Sequence, residues 1–331
     1  MKTDRFECKR SHAHWPMTMS LRLALSAGVL MGMIPNAHAQ ILTKEDLQKQ
    51  IAMYESDSSH AKAPEMAALP AGQIWSRLGT LYEDAGMYAQ SEGAYEHALR
   101  LLTVAPISEP NLATAIDNLG TLYMETGNLT EAESAELKAL KIREDAGLKS
   151  DIPRSWYHLA TLYLREHRPQ KAQGLAQQAK DAFFADANTF PEDRIGSLLL
   201  LASSHCQLHE YPAAIAELQS ALQIAKEAYG AETFPTGFTG FLLGYAVWKN
   251  GDRSSAGELM QRGVEIMNKE FGWGHPDYLP VMTQYARFLR EEHQKDEARS
   301  IEEQVKRMRA QLNSNPAYGH GLQTTDVAAL F

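Results

Sequence analysis

Apolar residues recur along most of the chain with the spacing of one face of an α-helix. In one segment they are Trp75, Leu78 and Tyr82, and in a later segment Trp156, Leu159 and Tyr163. Positions i, i+3 and i+7 lie on the same side of a helix with 3.6 residues per turn. This period predicts amphipathic helices and an all-α fold.

The helical segments belong to one unit that occurs six times. Its first small residue recurs at spacings of 41, 40, 42, 42 and 42 residues, at Gly79, Gly120, Ala160, Ala202, Gly244 and Ala286. A second small residue follows 12 positions later in each unit, at Ser91, Ala132, Ala172, Ala214, Ala256 and Ala298. Each unit therefore predicts two helices whose backbones approach closely at the small residues.

One turn residue separates the two helices of every unit. It lies seven positions after the first small residue, at Gly86, Gly127, His167, His209, Gly251 and His293. Helices commonly end on a left-handed residue, which glycine adopts freely and histidine tolerates better than most residues. We expect a left-handed backbone at these positions.

The unit resembles the tetratricopeptide repeat. Trp75, Leu78, Gly79 and Tyr82 match the W-x2-L-G-x2-Y signature of that family. The spacing exceeds the usual value of about 34 residues and is similar to the longer repeats of kinesin light chains, whose units open with a turn like His275-Pro276-Asp277. The resemblance covers residues 74–311. It implies a right-handed superhelical solenoid of six antiparallel helix pairs, and it is far less specific for function.

The N-terminal residues 1–39 predict a secretory signal peptide. Leu23 to Ile34 form an uncharged, largely apolar run of 12 residues, preceded by Arg22 and followed by the Ala37-His38-Ala39 cleavage site. The run is shorter than the ~20 residues of a membrane-spanning helix. We expect cleavage after Ala39, no stable membrane insertion afterwards, and export to the periplasm of a bacterium or out of the cell.

Two segments flank the repeats. Residues 40–73 predict an N-terminal capping helix, opened by the capping box of Thr43 and Asp46, and a linker from Ser58 to Gly72. Residues 312–331 form a C-terminal tail with an apolar end. We expect the tail to cap the last repeat or to occupy the binding groove, and disorder is the alternative.

Charge and cysteine content narrow the class of partner. The whole chain has a net charge of −9, and the chain without residues 1–39 has 27 basic and 39 acidic side chains. Such a surface repels phosphate backbones, so nucleic acid is not an expected partner. Cys206 is the single cysteine after residue 39, which predicts no disulfide within the mature chain.

The sequence predicts no enzyme, no cofactor and no metal site. It lacks the Gly-x-Ser-x-Gly, phosphate-loop and His-Glu-x2-His motifs. Acidic residues are scattered over the helices, where we expect them to be solvated. His205 and His209 have a spacing that suits a shared metal, but a packing position and a turn position already account for them.

The inner surface of the solenoid is the candidate binding site, because curvature gives such folds an extended concave face. Beside the packing face, the first helices become aromatic in later repeats and basic in the sixth. The candidate residues are Tyr157, Leu199, Phe238, Phe241, Tyr245, Trp248, Arg287 and Arg290. They would suit an apolar peptide with a carboxylate. The alternative left open is that the aromatic residues pack between repeats.

These patterns predict an exported, non-enzymatic scaffold that binds a protein or peptide of unknown identity on its concave face. Two alternatives remain. One is a self-associating structural module of the cell envelope, and the other is a metal-dependent protein that uses the solenoid as a frame.

Overall fold

The computed structural model describes residues 44–60, 68–105, 108–271 and 278–314. These residues form thirteen α-helices and contain no strand. The helices are α1 Lys44–His60, α2 Ala68–Asp84, α3 Tyr88–Val104, α4 Glu109–Thr126, α5 Leu129–Asp145, α6 Ile152–Arg165, α7 Pro169–Ala185, α8 Pro191–Gln207, α9 Tyr211–Tyr229, α10 Phe234–Lys249, α11 Arg253–Phe271, α12 Tyr278–Glu291 and α13 Lys295–Ser314.

Helices α2 to α13 form six successive pairs, and each pair packs against the next. The first helices of the first four pairs, α2, α4, α6 and α8, also contact one another in succession. They therefore form one continuous layer, as expected for a solenoid of stacked helix pairs. The predicted all-α repeat fold is confirmed.

All six predicted turn residues have a left-handed backbone. The φ angles are 71° at Gly86, 81° at Gly127 and 100° at Gly251, and they are 54°, 62° and 61° at His167, His209 and His293. Among the described residues other than glycine, these three histidines are the ones with positive φ. The repeat register therefore identifies the point at which each chain reversal begins.

The small residues bring the two helices of a pair into close contact. In the first pair, the Ser91 hydroxyl donates a hydrogen bond to the Gly79 carbonyl oxygen at 2.9 Å. A Cβ atom added at Gly79 would lie 2.6 Å from the Tyr95 ring, and one at Gly244 would lie 2.9 Å from the backbone nitrogen of Met260. The second small residue of every unit is fully buried, which confirms the predicted helix contact.

Helix α1 covers the start of the solenoid. Ile51 packs with Leu78, and the Tyr82 hydroxyl donates to a Glu55 carboxylate oxygen at 2.6 Å. Helix α2 begins at Ala68, six residues before the predicted start of the repeats, because Leu69 and its neighbours also join the core.

The last helix, α13, extends to Ser314, so the predicted tail begins inside it. The predicted signal peptide, the turn at residues 275–277 and the rest of the tail lie outside the described residues. No helix in the described ranges is both long and apolar enough to span a membrane.

The core is unevenly divided along the solenoid. One continuous apolar cluster extends from Ile195 to Met308 and joins the last three repeats. The first three repeats contain several smaller clusters, such as those around Leu81, Leu122 and Ile116. The two halves therefore differ in how their repeats are connected.

Candidate functional site

The six apolar residues of the predicted groove are buried. Tyr157, Leu199, Phe238, Phe241, Tyr245 and Trp248 each expose 7% or less of their surface. Phe238 stacks on Phe234 with ring centroids 5.7 Å apart, and the Trp248 ring meets Phe288 of the next repeat edge-on at 5.6 Å. These side chains therefore pack within and between repeats and do not form an open row of aromatic anchors. Packing between repeats was the alternative that the sequence left open.

The two predicted arginines differ in their surroundings. Arg290 makes hydrogen bonds through Nε and Nη2 to the two carboxylate oxygens of Glu302, at 2.6 and 2.5 Å. Arg287 is exposed and lies one turn before it on α12. The structure therefore leaves Arg287 accessible, whereas the guanidinium of Arg290 already has an acidic partner.

A basic corner formed by Lys249 and Arg287 lies beside the aromatic residues of the fifth repeat. Lys249 Nζ is 3.6 Å from the centre of the Trp248 ring and 5.4 Å from that of Tyr245. Burial lowers the pKa of Lys249, the nearby carboxylate of Glu291 opposes this effect, and the charge of Arg287 adds to it. Sequence reasoning missed Lys249, although it directly follows the candidate Trp248.

The histidines of the motif His205-Cys206-x2-His209 each lie against a neighbouring side chain. His205 Nδ1 lies 2.7 Å from a Glu210 carboxylate oxygen, and His209 Nδ1 lies 2.7 Å from the Tyr211 hydroxyl oxygen. Burial raises the pKa of the Cys206 thiol to about 12, which disfavours a thiolate ligand. Each histidine thus has a local partner.

A buried charged cluster formed by Asp117, Glu136, Arg143 and His158 connects the second and third repeats. It draws on three consecutive helices, α4, α5 and α6, and none of its residues exposes more than 5% of its surface. Arg143 Nη1 donates to Asp117 Oδ1 at 2.8 Å and also to the Ser155 hydroxyl. His158 Nδ1 lies 3.2 Å from Asp117 Oδ1 and 3.6 Å from Glu136 Oε2.

The groups of the cluster shift one another's pKa. Burial alone would raise the pKa of Asp117, but His158 and Arg143 hold it well below its usual range. Burial and the charge of Asp117 raise the pKa of Glu136 to about 8. Burial opposes a charge on His158, but Asp117 and Glu136 outweigh that effect and raise its pKa to about 10. The protonation state of each group therefore depends on the charges of the others.

Several oxygen atoms of the cluster have no hydrogen-bond partner. They are Oδ2 of Asp117 and both carboxylate oxygens of Glu136. Gly120 provides the space for Glu136, because a Cβ atom there would lie 2.7 Å from Glu136 Oε1. Three side chains that can bind a metal, those of Asp117, Glu136 and His158, have ligand atoms within 4.8 Å of one another.

The expectation that acidic residues are solvated is wrong for Asp117 and Glu136. A signal was available in the repeat register, since Glu136 lies 16 positions after the first small residue of its unit. The equivalent residues of the other units are Tyr95, Ala176, Leu218 and Met260, which are buried, and Glu302, which is partly exposed and pairs with Arg290. Four of these five equivalents are buried, so burial of Glu136 was the better expectation at this register position.

Comparisons with known proteins agree with this architecture. Residues 71–145 and 194–235 match family models described as tetratricopeptide repeat. No curated protein sequence matches the chain.

Solved structures share the fold at low sequence identity. The crystal structure of the apo form of RapI has a TM-score of 0.68 and 13% identity, over 82% of this chain and 94% of RapI. The Rap conjugation gene regulator of plasmid pLS20, in complex with the Phr* peptide, has a TM-score of 0.56 and 12% identity, over 81% of this chain and 76% of the regulator. The kinesin light chain TPR-like repeats from Podosopora anserina have a TM-score of 0.50 and 22% identity, over 62% of this chain and 99% of the Podosopora chain.

The matched segments lie in both halves of the solenoid, and the sixfold register with its left-handed turns connects them along the chain. The chain therefore contains tetratricopeptide repeats, at residues 71–145 and 194–235.

Proposed function

We propose that this protein is an exported, non-enzymatic scaffold that binds a peptide, or an extended segment of a protein, along the layer of its first helices. The order of basic, apolar and Ala37-His38-Ala39 segments at the N-terminus supports export. The similar Rap conjugation gene regulator was solved in complex with a peptide, which supports the class of partner.

The observation that carries this proposal is a row of polar side chains at one register position. The residue directly after the first small residue is polar in every unit. Thr80, Thr121, Thr161 and Arg287 are at least partly exposed, whereas Ser203 and Tyr245 are buried. Equivalent positions of stacked repeats lie along one line. The row ends at the exposed Arg287, next to Lys249.

The basic corner favours a peptide with a carboxylate at this end. Charge-assisted hydrogen bonds to a carboxylate are about twice as strong as neutral ones. Because Tyr245 and Trp248 are buried, affinity there would depend more on charge than on insertion of apolar side chains. A C-terminal carboxylate or an acidic side chain would meet this requirement.

The experiment is a binding screen of the chain without residues 1–39 against a peptide library with free C-termini. The peptides found are then measured as free acids and as amides. We expect Arg287→Ala to weaken binding of the acids about tenfold or more. Arg307→Ala removes an exposed arginine of α13 and is the matched control.

Failure to find any peptide, or equal effects of the two substitutions on every peptide found, would contradict the proposed site. Export is tested separately by N-terminal sequencing of the protein from fractionated bacteria. We expect Gln40 at the N-terminus in an extracytoplasmic fraction, whereas an intact Met1 in the cytoplasm would contradict export.

A further inference from the structure

We propose that the buried charged cluster is a binding site for one divalent transition-metal ion, held by Asp117, Glu136 and His158. The three residues come from α4, α5 and α6, so a bound ion would connect the second repeat to the third. The cluster is buried, whereas the basic corner of the proposed peptide site lies in the fifth and sixth repeats.

The separations between the ligand atoms are those of groups that share an ion. His158 Nδ1 lies 3.2 Å from Asp117 Oδ1 and 3.6 Å from Glu136 Oε2, yet it makes no hydrogen bond. Ligands bound at about 2.0–2.2 Å to the same ion are themselves roughly 3–4 Å apart. The arrangement is thus poorly aligned for hydrogen bonding but well spaced for coordination.

The cluster contains more buried acceptors than donors. Arg143 donates to Oδ1 of Asp117, but Oδ2 and both oxygens of Glu136 have no donor, although both carboxylates are fully buried. The His158 ring can offer at most one N–H at Nδ1. A buried carboxylate without partners is strongly destabilising, and a single cation can bind all three groups.

The surrounding charges favour a divalent ion. Metal ligation requires a neutral imidazole and ionised carboxylates. The three ligands would then bring two negative charges, which a divalent ion neutralises, while Asp151 interacts with Arg143. Arg143 would then act as an outer partner that orients the carboxylate of Asp117.

The repeat fold does not require charged residues at these positions. Glu136 corresponds to Met260 of the fifth repeat, and His158 corresponds to Leu242. Both equivalents are buried in the apolar core. The cluster is therefore an addition to the repeat, which is the condition expected of a site with a function of its own.

The ligand set indicates the class of metal. One imidazole nitrogen with two carboxylates is suited to Zn²⁺ and neighbouring transition ions. Mg²⁺ and Ca²⁺ are bound mainly by oxygen ligands. Zn²⁺ is therefore the probe of choice.

The test uses the full chain, stripped of metal with EDTA and then supplied with Zn²⁺. After removal of free metal, we expect about one Zn²⁺ per chain by elemental analysis and a higher melting temperature, because the ion binds the folded state. Glu136→Gln keeps the shape but removes a charged ligand. It should weaken binding by more than the roughly 10–100-fold that loss of an outer partner costs.

Two further variants make the result specific. Glu136→Met combined with His158→Leu copies the fifth repeat, so it should fold, as judged by circular dichroism, and retain no Zn²⁺. His205→Leu, in the fourth repeat, is the matched histidine control and should bind Zn²⁺ like the unaltered chain. Retention of far less than one Zn²⁺ by the unaltered chain, or persistent binding by the double variant, would overturn the proposal.

Discussion

At the residue scale, the turn histidines show that a left-handed position can be identified from the repeat register. His167, His209 and His293 replace glycine in three units, and their φ angles of 54–62° match the conformation predicted for them. The prediction succeeds because the chain must reverse at the same point of every unit. Local sequence alone would not distinguish these three histidines from the others.

His209→Gly should leave the free energy of unfolding unchanged or raise it by up to about 1 kcal/mol. Glycine relieves the left-handed strain of an L-residue, roughly 1–2 kcal/mol, but increases the freedom of the unfolded chain. His209→Val, a β-branched residue at the same φ, should be destabilising. Urea unfolding of both variants tests the order, and a glycine variant less stable than the valine variant would contradict it.

The properties of single residues also explain why the buried charged cluster was not predicted. Charged residues are usually exposed, so the sequence of α4 and α5 favoured a solvated role for Asp117 and Glu136. Only tertiary packing brings Asp117, Glu136 and His158 together, because they lie on three different helices. Comparison of equivalent positions in the six units favours burial of Glu136, although the sixth unit has the partly exposed Glu302 there, and it would not have identified the partners of Glu136.

At the element scale, the helical period predicted which face of each helix packs, but not how much of the helix is buried. In α8, every residue from Ile195 to Ser204 is buried, and α10 is buried from Thr236 to Ala246. Side chains assigned to a groove beside the packing face are therefore part of the core. Amphipathic spacing cannot separate these two cases when neighbouring helices enclose a helix on most sides.

The glycines of the helices provide a test of the helix contacts. Gly93→Ala and Gly174→Ala should each raise the free energy of unfolding by about 0.5–1 kcal/mol, because alanine favours the helix and the added Cβ meets nothing within 4 Å. Gly79→Ala should be destabilising, since its Cβ would lie 2.6 Å from the Tyr95 ring.

Thermal or chemical unfolding of these three variants is the measurement. If Gly79→Ala were as stable as the two exposed variants, the close contact between α2 and α3 would not constrain the first pair. Ala172→Leu should extend the result to the third pair, with a loss of roughly 1–3 kcal/mol from overpacking at a fully buried position.

At the scale of the whole molecule, the sequence predicted the number and order of helix pairs because each unit repeats the same local signals. The boundaries were less accurate, as at Ala68 and Ser314, where helices continue beyond the repeat signature. A repeat pattern describes what the units share, whereas the first and last units are completed by residues that belong to no repeat.

The unequal division of the core predicts that the two halves of the solenoid differ in local unfolding. In a solenoid, stability is the sum of contributions from each repeat and its neighbours, so segments can unfold separately. We expect amide hydrogen exchange in α8 to α11 to be slow and concerted, since one apolar cluster joins these helices. Exchange in α2 to α5 should be faster and differ between helices, because their clusters are small and separate.

Uniform protection along the chain, measured by mass spectrometry under native conditions, would contradict this expectation. If the halves do differ, the N-terminal repeats can loosen while the C-terminal repeats, with Lys249 and Arg287, stay folded. Proteases would then find their first cleavage sites in the N-terminal half, and a resistant C-terminal fragment would outlast the intact chain.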